Sequence, residues 1–497
     1  MSDIDWLSMS METKFSVRNF IDGKSIDCEG SELITKLSPR DGKRLYSFAK
    51  GRVLEVDLAV NNAQEAFEDG RWRKLPVNQR KSVLLRLADL IEANANTLAL
   101  YESTDVGKPI MSALNGDIPS AAAVFRECAH SMEQLLFPSG SDGTYMAYQQ
   151  HKPVGVVGAI VGWNFPLCLA STKVAPALAM GNSVVLKPSE ISPLSARTLA
   201  ELAHDAGVPP GVLNVVQGTG EILGDALARH HKVQLLTFTG STVTGKKIMV
   251  AAGESNMKRL ILECGGKSPY LVFNDCPHDL DAVASHIVAL AFANQGAVCS
   301  AATRLLVENH IKGPLVEKVL EHTDKIIPAD PLDSKTTFGA LVNQAHLDKV
   351  LGYIESGKEQ GADLIYGGTR ELEDTGGYYV RPTIFDNVSP DHRIAKEEIF
   401  GPVLSIIGFD TEQEAIKLAN SSPFGLAAYT TTQNLCQVQR LGLQLDSGLL
   451  VNRASLNSAG GSIALSQEPH KASGFGYEGG LQGLLSYTVS TAVVNKC

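Results

Sequence analysis
The chain has 497 residues, more than one domain usually holds, so two or more domains with sizeable cores are expected. Hydrophobic residues make up 44% and charged residues 20%, an ordinary balance for a globular enzyme. The formal net charge of −10, with no Lys/Arg run, argues against a phosphate-backbone partner, so no nucleic-acid contact is expected.

The opening stretch Met1–Leu7 is acidic and lacks the basic and apolar regions of a signal peptide, which points to a cytoplasmic protein. Ser16–Lys24 reads as a hairpin turning on Asp22-Gly23. Val56–Phe67, Val77–Asn94 and Asp117–Leu136 carry helical periodicity. Gly143–Lys152 is an extended ribbon that stops at Pro153. Val154–Thr172 runs nineteen residues without a charge, long enough to suggest a membrane span. Gly155, Gly158, Gly162, Asn164 and Pro166 interrupt it, however. It reads instead as a buried strand to Val161, a loop, and a helix from Pro166 to Met180, so no membrane contact is expected.

Strands and helices then alternate: strand Ser183–Lys187, helix Ser195–Ala206, strand Val212–Val216, helix Gly220–Arg229, strand Gln234–Thr239, helix Thr242–Ala252. This order implies a mostly parallel sheet covered on both faces. A second series is expected to begin at Arg259–Glu263 and to run through Leu450–Asn452, with Tyr487–Val494 as a last strand. Within it, the Ala-rich run Ala284–Ala293 reads as a buried helix, Asn294-Gln295-Gly296 as its breaker and Arg304–Glu308 as a strand.

Cys299 therefore lies on a loop between helix and strand, among small residues that let a substrate approach. A thiol is a nucleophile only as the thiolate, which backbone amides or nearby cations favour. Taken alone, a Cys among Ala and Val fits a small core residue equally well. The cysteines, at 28, 128, 168, 264, 276, 299, 436 and 497, form no CxxC pair and no His-Cys cluster. A reducing compartment and the lack of a metal site are the expectation.

Three places suit a nucleotide cofactor. Lys187 and Glu190 follow the end of a strand, the edge where open α/β sheets bind ligands; a Lys can hold ribose or phosphate and a Glu can accept from a ribose 2′-hydroxyl. Phe238–Gly245 is strand, glycine turn and helix start, where the amides near Gly240 and the Ser241 hydroxyl suit a pyrophosphate. Glu397–Val403 is a rigid turn fixed by Gly401-Pro402. Each also fits a bland role, as solvated loop charges, an ordinary turn or a helix-end carboxylate. No GxGxxG follows a strand of the alternating series in residues 154–261, so the usual dinucleotide fingerprint is missing there.

Together these stretches resemble the aldehyde dehydrogenase superfamily over nearly the whole chain. The resemblance rests on Gly162-Trp-Asn-Phe-Pro-Leu167, Lys187-Pro-Ser-Glu190, Phe238-Thr-Gly-Ser-Thr242, Leu262-Glu-Cys-Gly-Gly-Lys-Ser-Pro269, Asn294-Gln-Gly-Ala-Val-Cys299 and Glu398-Ile-Phe-Gly-Pro402. The N-terminal two-thirds looks most like the branch that oxidises γ-glutamylated and other ω-amino aldehydes. The resemblance implies an α/β fold with two doubly wound parallel-sheet domains, one Rossmann-like for the cofactor and one catalytic, plus a small β extension for oligomerisation. The expected boundaries are residues 1–137 and 154–261 for the NAD-binding domain, 262–463 for the catalytic domain, and 138–153 with 464–497 for the extension.

It also implies roles. Cys299 would attack the aldehyde, Asn164 and the Cys299 amide would hold the oxyanion, and Glu263 would be the general base for thioester hydrolysis. Gly265-Gly266 would give that base a flexible backbone. Trp163, Lys187, Glu190, Gly240, Ser241, Gly265, Glu398 and Phe400 would contact the cofactor, Trp163 near the adenosine and Glu398 at the nicotinamide ribose. NAD is expected over NADP because Glu190 would oppose a 2′-phosphate. The partners expected are a small aldehyde and further copies of the chain, as a homodimer or homotetramer.

Some positions depart from the family pattern. Gly162 replaces a Pro, Ala297 a Gln, Cys264 an aliphatic residue, and Thr172 a bulky aromatic. Ser466–Glu478 replaces the usual Pro-Phe-Gly-Gly-x-Lys run, and Tyr477 stands where an Arg is usual. The helix after Asn164 carries no Arg, which disfavours a short anionic semialdehyde, while Thr172 leaves room for something larger; other semialdehydes and aromatic aldehydes remain open. An acylating relative that passes the thioester to coenzyme A would not need Glu263. A non-catalytic relative would not need Cys299, Glu263 and Asn164 together.

Overall fold
A computed structural model describes residues 4–28, 30–133, 139–141, 144–276, 279–453 and 465–496. Two large sheets organise the chain. The first has the spatial order Lys24–Ile26, Asn19–Ile21, Leu213–Val215, Ser183–Lys187, Val156–Ile160, Val233–Thr239, Arg259–Glu263, Gly474–Phe475. Its five central strands are parallel and its outer members antiparallel.

The pleat explains why these strands read as unbroken apolar runs. Val157, Val184, Leu235 and Ile261 point into one core, with the helices Val77–Ala93, Ile118–Ser131, Pro166–Ala179 and Leu194–Ala206. Their neighbours Val156, Val185, Leu236 and Leu262 point into a second core, under helices Val53–Asp69 and Thr242–Gly253. Each fully buried aliphatic side chain contributes about 1.5–3 kcal/mol relative to exposure, and a parallel sheet buries both faces.

The second sheet runs Asp363–Tyr366, Thr383–Asp386, Val403–Phe409, Arg304–Glu308, Pro269–Val272, Ala427–Thr431, Leu449–Asn452, parallel except for the first strand. It too separates two cores, with Leu271 and Leu306 on one face and Tyr270, Val272 and Leu305 on the other.

Several expectations need adjustment. Arg259–Glu263 does not open the second series; it lies parallel to Val233–Thr239 in the first sheet. The second sheet starts at Pro269, after the turn through Gly265-Gly266. The helix expected from Asp117 starts at Ile118, after a π-helical turn over Ala113–Asp117, and ends at Ser131; residues 134–136 lie outside the described residues. The expected hairpin forms, with Asp22 at φ 54° and Gly23 at φ 71°, the backbone a two-residue turn between twisted strands requires. The uncharged stretch splits into strand Val156–Ile160 and helix Pro166–Ala179, and no described helix is long and apolar enough to cross a membrane.

The ribbon and the tail find each other. Tyr145–Pro153 pairs antiparallel with Thr488–Lys496 along its whole length, and Ser139–Ser141 adds a short third strand; Gly143 lies outside the described residues. This small sheet is separate from the two large ones.

Candidate active site
The two large sheets meet end to end. Four parallel strands of the first sheet deliver their carboxyl ends to one region: Val156–Ile160 leads to Trp163-Asn164, Ser183–Lys187 to Glu190, Val233–Thr239 to Gly240-Ser241, and Arg259–Glu263 to Gly265. Strands of the second sheet start there: Cys299 precedes Arg304–Glu308, and Glu398-Ile399-Phe400 precedes Val403–Phe409. Ligands of open α/β sheets lie outside the carboxyl ends of the strands. Here a second sheet closes that edge.

A cavity of about 500 Å³ occupies the junction, lined by Trp163, Asn164, Gly240, Cys299, Glu398 and Phe400 among others. Ser241 and Gly265 also line it, so most of the sequence-derived candidates converge on one space. An adjoining cavity of about 610 Å³ is lined by Glu190, Gly220, Thr244 and Lys247.

Asn164 is held from two sides. Its side-chain amide donates to the Ala297 carbonyl at 2.9 Å, and its own carbonyl accepts from Asn294 Nδ2 at 3.0 Å. The loop carrying it runs straight into the helix Pro166–Ala179, whose Leu167 N–H donates to Glu102 Oε1 at 2.9 Å. A carboxylate there meets a donor that the first helical turn leaves free. Glu102 and Asp117 both pair with buried Lys108, whose ammonium lies 4.2 Å from the centre of the Phe165 ring. Burial pushes Glu102 up to about 7, against the downward pull of Lys108.

The Cys299 loop is unusual backbone. After the helix Leu280–Phe292, three successive residues take left-handed dihedrals: Asn294 at φ 47°, Gln295 at φ 55° and Gly296 at φ 75°. Gly296 also has no room for a side chain, since a Cβ would lie 2.3 Å from the Gly401 backbone. Conformations of this kind persist where the surroundings over-determine them. The missing Gln at 297 is without effect on the tie to Asn164, because Ala297 acts through its carbonyl.

Cys299 is partly accessible but enclosed by protein. Burial, then the charges of Glu263 and Glu398, push its thiol up to about 12, while the Ser300 amide pulls the other way. Glu263 is half-buried, and its Oε1 has no hydrogen-bond partner among the described residues. Burial, then Glu478, raise its pKa well above the usual carboxylate range; Lys173 opposes them. A carboxyl so raised is a stronger base when ionised.

The paired glycines serve space more than swing. A Cβ on Gly265 would lie 2.2 Å from Glu398 Oε2, and one on Gly266 would lie 2.3 Å from the Cys299 carbonyl. Neither has a positive φ. The Gly266 amide donates to Glu398 Oε1 at 3.1 Å.

Lys187 and Glu190 pair with each other at 2.8 Å, and Glu190 Oε1 also accepts from the Gly220 amide at 3.4 Å. Ser241 caps the helix Thr242–Gly253, accepting from Thr244 N. The Trp163 ring lies on the Cys299 side, edge-on to Phe400 at 5.3 Å and His346 at 5.1 Å, and its carbonyl accepts from Ser192 Oγ. Phe400 itself has φ 61°, and its carbonyl pairs with His346 Nε2 at 2.7 Å.

Sequence reading missed His346 and Lys349, which line the Cys299 cavity, and the buried Lys173–Glu478 ion pair beside Glu263. It also missed Ser473, whose hydroxyl donates to the Gly265 carbonyl at 2.7 Å and whose own carbonyl accepts from Cys264 N. Lys173 lies two turns beyond Pro166, on the face turned toward Glu478; only the helical phase of a charge in an otherwise apolar helix could have marked it.

Comparison with known proteins agrees with this architecture. Residues 26–493 match the aldehyde dehydrogenase family. The chain is 41% identical over 485 residues to the NADP/NAD-dependent aldehyde dehydrogenase PuuC of Escherichia coli K12, covering 97% of this chain and 96% of that one. It is 41% identical over 461 residues to aminoacetaldehyde dehydrogenase of Pseudomonas aeruginosa, covering 92% and 91%. Among solved structures, an indole-3-acetaldehyde dehydrogenase in complex with NAD+ superposes with a TM-score of 0.96 at 43% identity, over 99% of each chain. The γ-glutamyl-γ-aminobutyraldehyde dehydrogenase of Burkholderia cenocepacia does so at 0.95 and 42%, again over 99% of each. This chain belongs to the aldehyde dehydrogenase family.

Proposed function
We propose that this aldehyde dehydrogenase uses NAD to oxidise aldehydes that carry an amine remote from the carbonyl, releasing the carboxylic acid. The observation that carries the chemistry is the single cavity that unites Cys299, Asn164 and Glu398, with Glu263 close enough for its charge to act on the Cys299 thiol.

Cys299 Sγ attacks the carbonyl carbon as the thiol proton passes to water in the cavity. The developing oxyanion is met by the Asn164 amide, already oriented by its bond to the Ala297 carbonyl, and by the Cys299 N–H. NAD, held by Glu398, Phe400 and Gly265, would supply the hydride acceptor, and loss of hydride from the tetrahedral carbon would leave a thioester on Cys299. Glu263 then takes a proton from water as that water attacks the thioester carbon; the C–S bond breaks, the carboxylic acid leaves and Cys299 Sγ recovers its proton. Its partnerless Oε1 and raised pKa support the role.

The residues present suit the dinucleotide. The two adjoining cavities supply an elongated space, the glycines at 240 and 265 clear it, and Glu398 and Glu190 stand as acceptors for ribose hydroxyls. Glu190 favours a free 2′-hydroxyl over a 2′-phosphate, because like charges a few ångströms apart cost several kcal/mol. Lys187, already paired with Glu190, tempers this preference. Lys187, Glu190, Gly240, Ser241 and the Trp163 backbone serve the adenosine and pyrophosphate end, and Glu398, Phe400 and Gly265 the nicotinamide end.

The substrate class rests on the γ-glutamyl-γ-aminobutyraldehyde and aminoacetaldehyde dehydrogenases that this chain resembles. A panel of aliphatic, aromatic, carboxylated and amine-bearing aldehydes, followed by NADH formation, tests it. The amine-bearing members should give the highest kcat/KM, and Cys299→Ala should abolish turnover of all of them while NAD still binds. A preference for indole or other neutral aromatic aldehydes would contradict the substrate reading. Turnover in the Cys299 variant would contradict the chemistry.

A further inference from the structure
A small cavity of about 70 Å³ lies beyond the Cys299 site, lined by Glu127, Thr172, Tyr477, Glu478 and Tyr487 among others. Among the described residues, no Lys, Arg or His lines it. Glu478 pairs with Lys173, but Glu127 is half-buried and has no hydrogen-bond or ion-pair partner among the described residues. The Tyr487 ring beside it is buried. A half-buried carboxylate gains nothing from an empty apolar wall, whereas a cation set against it would satisfy its charge.

The cavity is next to the reaction centre. Leu169 lines the Cys299 cavity and Thr172 this one, a single helical turn on, about 5 Å along the axis. Glu478 acts electrostatically on Cys299 and Glu263 alike. Two departures noted in the sequence open and charge this space: Thr172 replaces a bulky aromatic, and Tyr477 replaces a cation with a ring. Aromatic faces beside a carboxylate are the usual surroundings of a bound ammonium group.

We propose that this cavity receives the ammonium end of the substrate, with Glu127 as its counter-charge and the Tyr477 and Tyr487 rings as its walls. The inference rests on the amine-bearing substrate class proposed above and names the residues that would select it. It places the cation several bonds from the carbonyl carbon held at Cys299, along the helix from Leu169 to Thr172.

Two aldehydes of one shape separate the possibilities: trimethylammoniobutanal and its uncharged tert-butyl isostere. With the unaltered enzyme the charged aldehyde should have the lower KM. Glu127→Gln should raise that KM roughly fivefold to tenfold, the effect of losing about 1 kcal/mol of ion pairing, and leave its kcat and both constants for the isostere unchanged. Tyr477→Arg, on the exposed rim, should raise the same KM by placing a cation there. If the unaltered enzyme prefers the isostere, the substrate class itself is wrong. If it prefers the charged aldehyde but neither variant moves KM, or both aldehydes lose equally, Glu127 is not the counter-charge and the inference falls.

Discussion
Cys299 shows how far a residue's neighbours decide its chemistry. Burial and the carboxyls of Glu263 and Glu398 hold its thiol near 12, so it rests protonated at neutral pH. Removing the Glu263 charge removes an upward push on that pKa. Glu263→Gln should therefore shift the pH profile of Cys299 alkylation by iodoacetamide toward lower pH. An unchanged profile, or a shift to higher pH, would mean that Glu263 does not act on the thiol through its charge. The positions of Cys299, Asn164 and Glu398 were legible because each sits at a strand or helix boundary that sequence periodicity marks. The electrostatics were not. The push on Cys299 includes Glu478, far along the chain from it, and sequence order carries no trace of that proximity.

At the scale of elements, most strands and helices could be read, since apolar runs and breakers are local features. Ser183–Lys187, Arg259–Glu263 and Arg304–Glu308 have the bounds that their residues suggest. Which sheet a strand joins is not local. Arg259–Glu263 belongs to the first sheet because it follows the crossover helix Thr242–Gly253 from Val233–Thr239, and a right-handed crossover returns to the same sheet. The left-handed run Asn294–Gly296 was legible only as a break in a helix. Its shape comes from packing on Gly401 and from the bonds to Asn164.

The Glu102–Lys108–Asp117 group ties three elements behind the Asn164 loop. Lys108→Met would leave two buried carboxyls without their cation, and breaking such a group costs about 3–5 kcal/mol. The sign of the pH dependence follows from the raised folded-state value of Glu102, about 7 with Lys108 present. A raised carboxyl contributes stability below its unfolded pKa, and that contribution is lost as pH rises through the folded one. Without Lys108 the folded value rises further. The variant should therefore lose less thermal stability near pH 5 than near pH 8, and its kcat should fall as Asn164 loses its support. An equal loss at both pH values would mean that the three groups are not linked by charge.

For the whole molecule, two sheets joined carboxyl edge to amino edge create a site that neither sheet has alone. The domain roles follow as a proposal: the first sheet and its helices hold the cofactor, and the second supplies Cys299. The third, small sheet has a different task. Its strands Tyr145–Pro153 and Thr488–Lys496 bear mostly exposed or half-exposed side chains, and Ser139–Ser141 is too short to cover a full edge. Edges left uncovered among the described residues invite pairing with another chain. We propose a dimer, or a tetramer of dimers, built on this sheet. Light scattering at micromolar concentration should give a mass above that of one chain, and removing residues 488–497 should reduce it to one chain. A monomeric intact protein would contradict the assembly.

The central claim is that oxidation passes through a thioester on Cys299 which Glu263 then resolves. Mixing Glu263→Gln with NAD and an amine-bearing aldehyde, and following NADH by stopped flow while mass spectrometry reads the Cys299 peptide, tests it most directly. A burst of about one NADH per site, an acyl adduct on Cys299, and slow turnover afterwards are expected, because only the hydrolytic half needs the base. Loss of the burst together with the adduct would contradict the claim and assign Glu263 to the activation of Cys299 instead.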